Sequence, residues 1–349
     1  MKLKIIYISI FYILFLLSGC GKKLPPTSPD RWAPRVLNVN AVDEHHLRIF
    51  FSEKIDTLTP KKLDNFKILN PENGETTSVI YSERDKKGDE VLITVPKLED
   101  MKYSLLIFNI KDIKGNLMIR AEKSFKPSNE KDTIDPILRY TRPSRIRTSA
   151  PLDSIILLRF SEPMDSGACG INDFVTTYID IDSLFVWNET LTEVTLRYRL
   201  VKDKICKLFM LPLIPDLSGN SLSEMRILTL TTSDTLPKNR MNIKIIKDEK
   251  ELTKTYAFLR NASDRLFQDI SPVDTTFSFF FTPPDTYFIS VVAQDSLDTT
   301  GLWWGEKKIA FFPDTTRSVD EEVEVDFIKR DRIPESLLNL YKILSTNIK

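Results

Sequence analysis

An all-β chain, folded as a row of β-sandwiches and closed by one short helix, is what this sequence predicts, and three observations predict it. Leu152–Asp165 (L-D-S-I-I-L-L-R-F-S-E-P-M-D) is close to a copy of Val42–Asp56 (V-D-E-H-H-L-R-I-F-F-S-E-K-I-D). Roughly 55–60 residues after the F-S-E of each copy comes a second shared phrase, Lys111–Met118 (K-D-I-K-G-N-L-M) and Pro215–Leu222 (P-D-L-S-G-N-S-L), so the chain carries a tandem repeat of about 105 residues, the size of one sandwich. Short apolar runs rich in Val, Ile, Thr, Phe and Tyr also outnumber any stretch with sustained helical period.

The 349 residues leave room for two or three domains. Lys+Arg and Asp+Glu are equal at 49 each and interspersed, so no global field gathers nucleic acid, and no nucleic-acid partner is expected. The two histidines, His45 and His46, are adjacent. Neighbours on a strand face opposite ways, so the pair cannot readily share a metal ion and reads as a solvated strand start. No G-x-S-x-G elbow, Walker loop or H-E-x-x-H run occurs. The expectation is therefore a protein without cofactor or catalysis.

Residues 1–19 have the layout of an export leader: Lys2 and Lys4, an apolar run from Ile5 to Leu17, then small residues. The run is too short for a spanning helix, which needs about 20 apolar residues. Leu17-Ser18-Gly19-Cys20 resembles the lipobox of bacterial lipoproteins. That resemblance implies cleavage before Cys20 and lipidation of its thiol, making the membrane a partner through the N-terminal lipid. Residues 20–34 hold four prolines and read as an extended tether. Gly21-Lys22, with no Asp after the cysteine, implies outer-membrane residence by the proteobacterial sorting pattern.

Residues 35–127 alternate short apolar runs with turn residues. The predicted strands are Val36–Val42, Leu47–Ser52, Phe66–Leu69, Ser78–Tyr81, Glu90–Val95, Tyr103–Ile110 and Ile119–Phe125, the pattern of an immunoglobulin-like sandwich. Phe51–Asp56, Asn65-Phe66, Tyr103–Ile107 and Lys111–Asn116 together resemble the S-layer-type (SbsA-like) bacterial Ig-like domain. Asp112, Gly115 and Asn116 suit a tight turn between the last two strands. Glu53, Asp56 and Asp112 are the oxygen donors a calcium ion would use, but Lys54, Lys111 and Lys114 crowd them. No metal is assigned.

Residues 134–234 form the second copy, after the polar linker Lys126–Asp132. Its expected strands are Ile137–Tyr140, Ser154–Phe160, Phe174–Ile179, Leu184–Trp187, Glu193–Tyr198, Ile205–Leu211 and Met225–Thr231. F-S-E-P-M-D at Phe160–Asp165 and P-D-L-S-G-N at Pro215–Asn220 resemble the same family more closely, and Trp187 is expected in the core. A disulfide between Cys169 and Cys206 is chemically allowed in an exported protein, with two separate thiols the alternative.

The repeat does not return in residues 240–330. Thr282–Asp295 (T-P-P-D-T-Y-F-I-S-V-V-A-Q-D) and the acidic loop after it resemble a carboxypeptidase-regulatory-like, transthyretin-type Ig module, with Asp285 where Gly is usual. Trp303 and Trp304 are placed in a loop, where aromatic faces could stack on a sugar; the bland alternative puts one in the core and one on the rim. Within residues 331–349, Pro334 suits a first helical turn, and Leu337, Leu340, Tyr341 and Leu344 form one apolar stripe expected to dock on the sandwich. The whole reads as a lipid-anchored cell-envelope protein with a structural or adhesive role. Its expected partners are envelope proteins or polysaccharide, and the alternative role is carbohydrate binding or service to an envelope enzyme.

Overall fold

A computed structural model describes residues 30–246, 252–273, 276–296, 302–311, 319–324, 328–329 and 333–346. The leader, Cys20 and most of the tether lie outside these residues, as does the acidic loop beyond Ser296. The described chain is mostly β-strand, arranged in several antiparallel sheets, with one short C-terminal helix.

The first sandwich contains β1 (Val36–Ala41), β2 (His46–Phe51), β3 (Phe66–Leu69), β4 (Thr76–Ser78), β5 (Tyr81–Arg84), β6 (Glu90–Thr94), β7 (Tyr103–Lys111) and β8 (Leu117–Phe125). They form two sheets, β1-β2-β6-β5 and β4-β3-β7-β8. Period-two patterning sets which side is buried: Leu47, Ile49 and Phe51 enter the core while Arg48 faces solvent.

The second sandwich repeats this plan with β9 (Leu138–Arg142), β10 (Ile146–Arg147), β11 (Asp153–Phe160), β12 (Phe174–Thr177), β13 (Ile179–Ile181), β14 (Val186–Trp187), β15 (Glu193–Leu200), β16 (Ile205–Met210) and β17 (Arg226–Thr231). Its sheets run β10-β17-β16-β12 and β13-β15-β11-β9, with β14 also on β15. Trp187 packs against the core and stacks on Phe160 at 6.0 Å between ring centres.

The two shared phrases meet in space. The hydrophobe before the last aspartate of the F-S-E phrase, Ile55 or Met164, is fully buried and bridges to the aspartate of the turn, Asp112 or Asp216. The backbone N–H of Asp56 donates to Lys111 O at 2.8 Å, and that of Asp165 donates to Pro215 O at 2.9 Å. A buried hydrophobe and a turn thus pin the same crossing in both copies.

The third sandwich contains β18 (Arg240–Ile246), β19 (Leu252–Asn261), β20 (Phe267–Val273), β21 (Thr276–Phe280), β22 (Asp285–Asp295), β23 (Leu302–Phe311), β24 (Val319–Glu324) and β25 (Ile328–Lys329), followed by α1 (Glu335–Thr346). Sheet β21-β18-β24 covers one face of sheet β20-β19-β22-β23-β25. The other face of the larger sheet is also apolar: Tyr256, Phe258, Ile270 and Val292 meet α1 and the second sandwich in one cluster. β16 explains how. Its run I-C-K-L-F-M-L sends Cys206, Leu208 and Met210 into its own core and Phe209 and Leu211 outward into this joint.

The stripe Leu337, Leu340, Tyr341 and Leu344 is buried there, and Tyr256 donates its hydroxyl to Leu344 O at 3.2 Å. Lys207 and Asp269 form a buried ion pair of 2.7 Å across the same joint. Second sandwich, third sandwich and helix are therefore one packed body. Replacing Leu340 by Ala should cost about 2–5 kcal/mol and split the joint thermal transition of the two sandwiches into two, read by calorimetry; a single unshifted transition would contradict the weld.

Candidate functional site at the seam between the first two sandwiches

Of the three calcium candidates, the structure gathers two. Glu53, at the end of β2, and Asp112, in the β7–β8 turn, join Asp30 from the entering chain, with oxygens within 4.8 Å of one another. Asp56 is elsewhere: its carboxylate accepts from the Thr59 N–H at 2.9 Å and from the Thr59 hydroxyl. The oxygens of Asp112 are taken up by their own turn. Oδ1 accepts from the N–H groups of Lys114 and Asn116 at 2.7 and 2.9 Å, and Oδ2 from Asn116 Nδ2 at 2.7 Å. Burial pushes this carboxyl up, but the bonds from Asn116 and the turn amides hold it below the usual range. Burial raises Glu53, and the charges of Asp30 and Asp112 add to the effect.

The second sandwich reproduces the arrangement with Asp132, Glu162 and Asp216, which the sequence reading did not select. Asp216 accepts from Ser218 N, Asn220 N and Asn220 Nδ2 at 2.8, 2.9 and 2.9 Å. In each copy the asparagine also donates to the carbonyl of the entering aspartate: Asn116 Nδ2 to Asp30 O at 3.2 Å, and Asn220 Nδ2 to Asp132 O at 3.1 Å. The signal was in the repeat: P-D-L-S-G-N matches K-D-I-K-G-N, so what Asp112 does, Asp216 had to do.

Asp132 lies in the linker, and so the second cluster reaches the first sandwich. His46 Nδ1 is 2.9 and 3.0 Å from the two carboxylate oxygens of Asp43 and 3.7 Å from Asp132 Oδ2. Asp43 Oδ1 also accepts from the N–H groups of His45 and His46, each at 2.8 Å. Asp43, His46, Asp132 and Asp216 are all buried, against the expected solvated strand start, because the linker folds back over them. His45 points the other way, with Nδ1 2.9 Å from Val95 O, as alternation on a strand requires.

Outside this core of charge, Glu44 N donates to Glu130 O at 2.8 Å, and Arg139 pairs with Glu83 at 3.1 Å. The first seam is thus polar where the second joint is apolar.

Burial opposes the charge on His46, but the hydrogen bond and charge of Asp43, with Asp132 and Glu162, hold its pKa above the usual 6.5. Glu162 is pushed up to about 7 by burial, with Asp216 and Asp132 adding and Ser161 and His46 opposing. Burial also raises Asp43, but its bonds from His46 and His45 win and lower it.

The remaining candidates serve structure. Cys169 and Cys206 are both free thiols, so the allowed disulfide is not formed; burial pushes them up to about 12 and about 11. Trp303 and Trp304 lie in β23 rather than a loop, and consecutive strand residues face opposite sides, so they offer no shared stacking surface. Trp304 packs on the cluster beneath α1, and Trp303 donates its Nε1–H to Asp295 Oδ2 at 3.1 Å. Among the described residues, no helix is long and apolar enough to cross a membrane.

No protein-family profile matches the chain, and no curated protein does. Among solved structures it is distantly similar to the bacterial S-layer protein SbsC, domains 1–6, at 13% identity and a TM-score of 0.27, covering 82% of this chain and 41% of that one. It is also similar to Escherichia coli α2-macroglobulin domains MG0-NIE-MG1 (8% identity, TM-score 0.24, 80% of this chain and 97% of that one). A third is the major pilin subunit BcpA of Bacillus cereus (7%, 0.20, 78% and 95%). The chain spans less than half the length of the S-layer structure.

Glu162 and His46 both titrate higher in the fold than when unfolded, so the folded seam binds the extra protons as pH falls through about 7. Their stabilisation is complete below the unfolded values of 4.5 and 6.5 and is lost as pH rises through the folded values. Asp43 runs the other way and loses its contribution only as pH falls below 3.8. The seam should be tightest in mild acid. Glu162→Gln should stabilise the first two sandwiches at pH 8 by about 1–2 kcal/mol, allowing for the solvent that still reaches the group, and should flatten the dependence of melting temperature between pH 5 and 8. An unchanged pH profile would refute the assignment.

Proposed function

We propose that the chain is a lipid-anchored component of the bacterial cell envelope whose work is contact: a rod of sandwiches held at a membrane by Cys20, joining envelope proteins or polysaccharide. The observation that carries this reading is the apolar weld of second sandwich, third sandwich and helix, which spends its large apolar surfaces on rigidity. L-S-G-C at Leu17–Cys20 supplies the anchor, and the four prolines of residues 21–34 supply reach. The residue after Cys20 favours the outer membrane.

Catalysis has little to work with here. Both histidines are engaged with Val95 and Asp43, and the aspartates of the two turns are saturated by their own backbone. Envelope fractionation with metabolic lipid labelling tests the anchor. Wild type should carry label and sediment with membranes, and Cys20→Ala should lose both; label retained on the variant would overturn the reading.

A further inference from the structure

One end of the first sandwich carries side chains that closing the sandwich does not require. The entering chain, the F-S-E phrase and the β7–β8 turn meet there. Arg35 N donates to Ser52 Oγ at 3.0 Å, Ile113 N to Lys54 O at 3.2 Å, and Asn116 Nδ2 to Asp30 O at 3.2 Å. On this end Trp32 is 82% exposed, Leu58 68% and Ile113 59%. Lys54, Lys111 and Lys114 stand exposed around them, and none of the three forms an ion pair among the described residues. Asp30 is exposed at the point of entry, but the other carboxylates are drawn inward: Asp112 is buried, and Asp56 and Asp85 accept from Thr59 N and Gly88 N. The end thus presents apolar tips within a ring of positive charge.

The repeat supplies the control. The same end of the second copy faces the sandwich before it, with Asp132 3.7 Å from His46. There Lys54, Lys111 and Lys114 are replaced by Pro163, Pro215 and Ser218, which are buried or half-buried, and the exposed Leu117 by Ser221. The aspartate, glycine and asparagine of the turn are the same in both, so the lysines and Leu117 are not needed to close it. In the second copy this end meets what precedes it in the chain. What precedes the first copy is residues 21–29 and then Cys20. Cys20 and Asp30 are ten residues apart, at most about 35 Å of extended chain, so a lipid on Cys20 keeps this end close to a bilayer.

We propose that this end of the first sandwich rests on the anionic phospholipid surface of the membrane that holds Cys20. Trp32 and Ile113 enter the headgroup layer, where an indole is at home because one side is apolar and its N–H meets water or phosphate. Lys54, Lys111 and Lys114 face the lipid phosphates, each adding to the attraction within a Debye length of the surface. The docking deepens the contact role and rests on the anchor: without the lipid, three lysines and two apolar tips give only a weak, reversible hold.

The test reads Trp32 fluorescence in the full-length lipidated chain, reconstituted into vesicles of brominated phosphatidylglycerol or brominated phosphatidylcholine. Subtracting the emission of Trp32→Phe isolates the signal of Trp32. Bromine should quench that signal on phosphatidylglycerol, and high salt should relieve the quenching while the chain still floats with the vesicles. Lys54→Gln, Lys111→Gln and Lys114→Gln together should lower the ratio of docked to free chain about a hundredfold. Ile113→Ser should also lower it, whereas Leu184→Ser, an equally exposed hydrophobe of the second sandwich at 69%, should not. None of these exposed changes should move the melting temperature. A chain that leaves the vesicles in high salt would overturn the anchor and the docking together. A chain that floats but keeps Trp32 unquenched, including one whose Trp32 crosslinks to a second copy, would overturn the docking alone. Equal quenching on phosphatidylcholine, or quenching unchanged in the triple variant, would do the same.

Discussion

In both repeats an aspartate at the start of a tight turn accepts from two backbone amides of that turn and from its asparagine side chain, and the same asparagine holds the carbonyl of the chain entering the sandwich. Glycines at φ 93° and 88° let the turn close. The hydrophobe of the F-S-E phrase, Ile55 or Met164, sits buried against this turn. The enclosed carboxylate, with its full set of donors, joins the start, the middle and the end of a sandwich at one point. The long-range register of each repeat rests on that point.

Using the same turn twice has a consequence for assembly. The entering residue of the first copy, Asp30, meets only its own sandwich in that cluster, whereas that of the second, Asp132, also faces His46 of the sandwich before it. A device that closes one domain thereby becomes part of the joint to another. That joint is built of charge, with His46 and Glu162 both held above their usual pKa. The next joint, around Phe209, Phe258 and Tyr341, is built mainly of packed apolar surface, with the Lys207–Asp269 ion pair buried beside it. The second and third sandwiches share one apolar cluster with the helix, whereas the first meets the second through charged groups.

Much of the fold was legible because local pattern and tertiary role agreed. Period two in Leu47–Phe51 buried the face it predicted, and the stripe from Leu337 to Leu344 docked as its spacing required. What stayed hidden depended on segments far apart in sequence. His45 and His46 looked solvated because nothing nearby shows that a linker some 85 residues on will cover them. Asp56 matched the ligand pattern but found a closer partner in Thr59, while Asp30 came in from the tether. β20 carries little strand signal in the sequence, because Asp269, Ser271 and Pro272 interrupt its apolar residues. Trp303 and Trp304 read as a loop because Gly301 and Gly305 flank them, yet they lie in the ten-residue strand β23.

Amide hydrogen exchange at the linker measures the role of the turn most directly. Ile134 donates to Asp132 Oδ1, and Glu44 donates to Glu130 O. If Asn220 clamps the linker, both amides exchange slowly in the native chain, and Asn220→Ala speeds both by about a hundredfold or more while the core of the first sandwich stays protected. Exchange at Ile134 and Glu44 that is unchanged by the substitution would show that the turn closes its own sandwich and holds nothing beyond it.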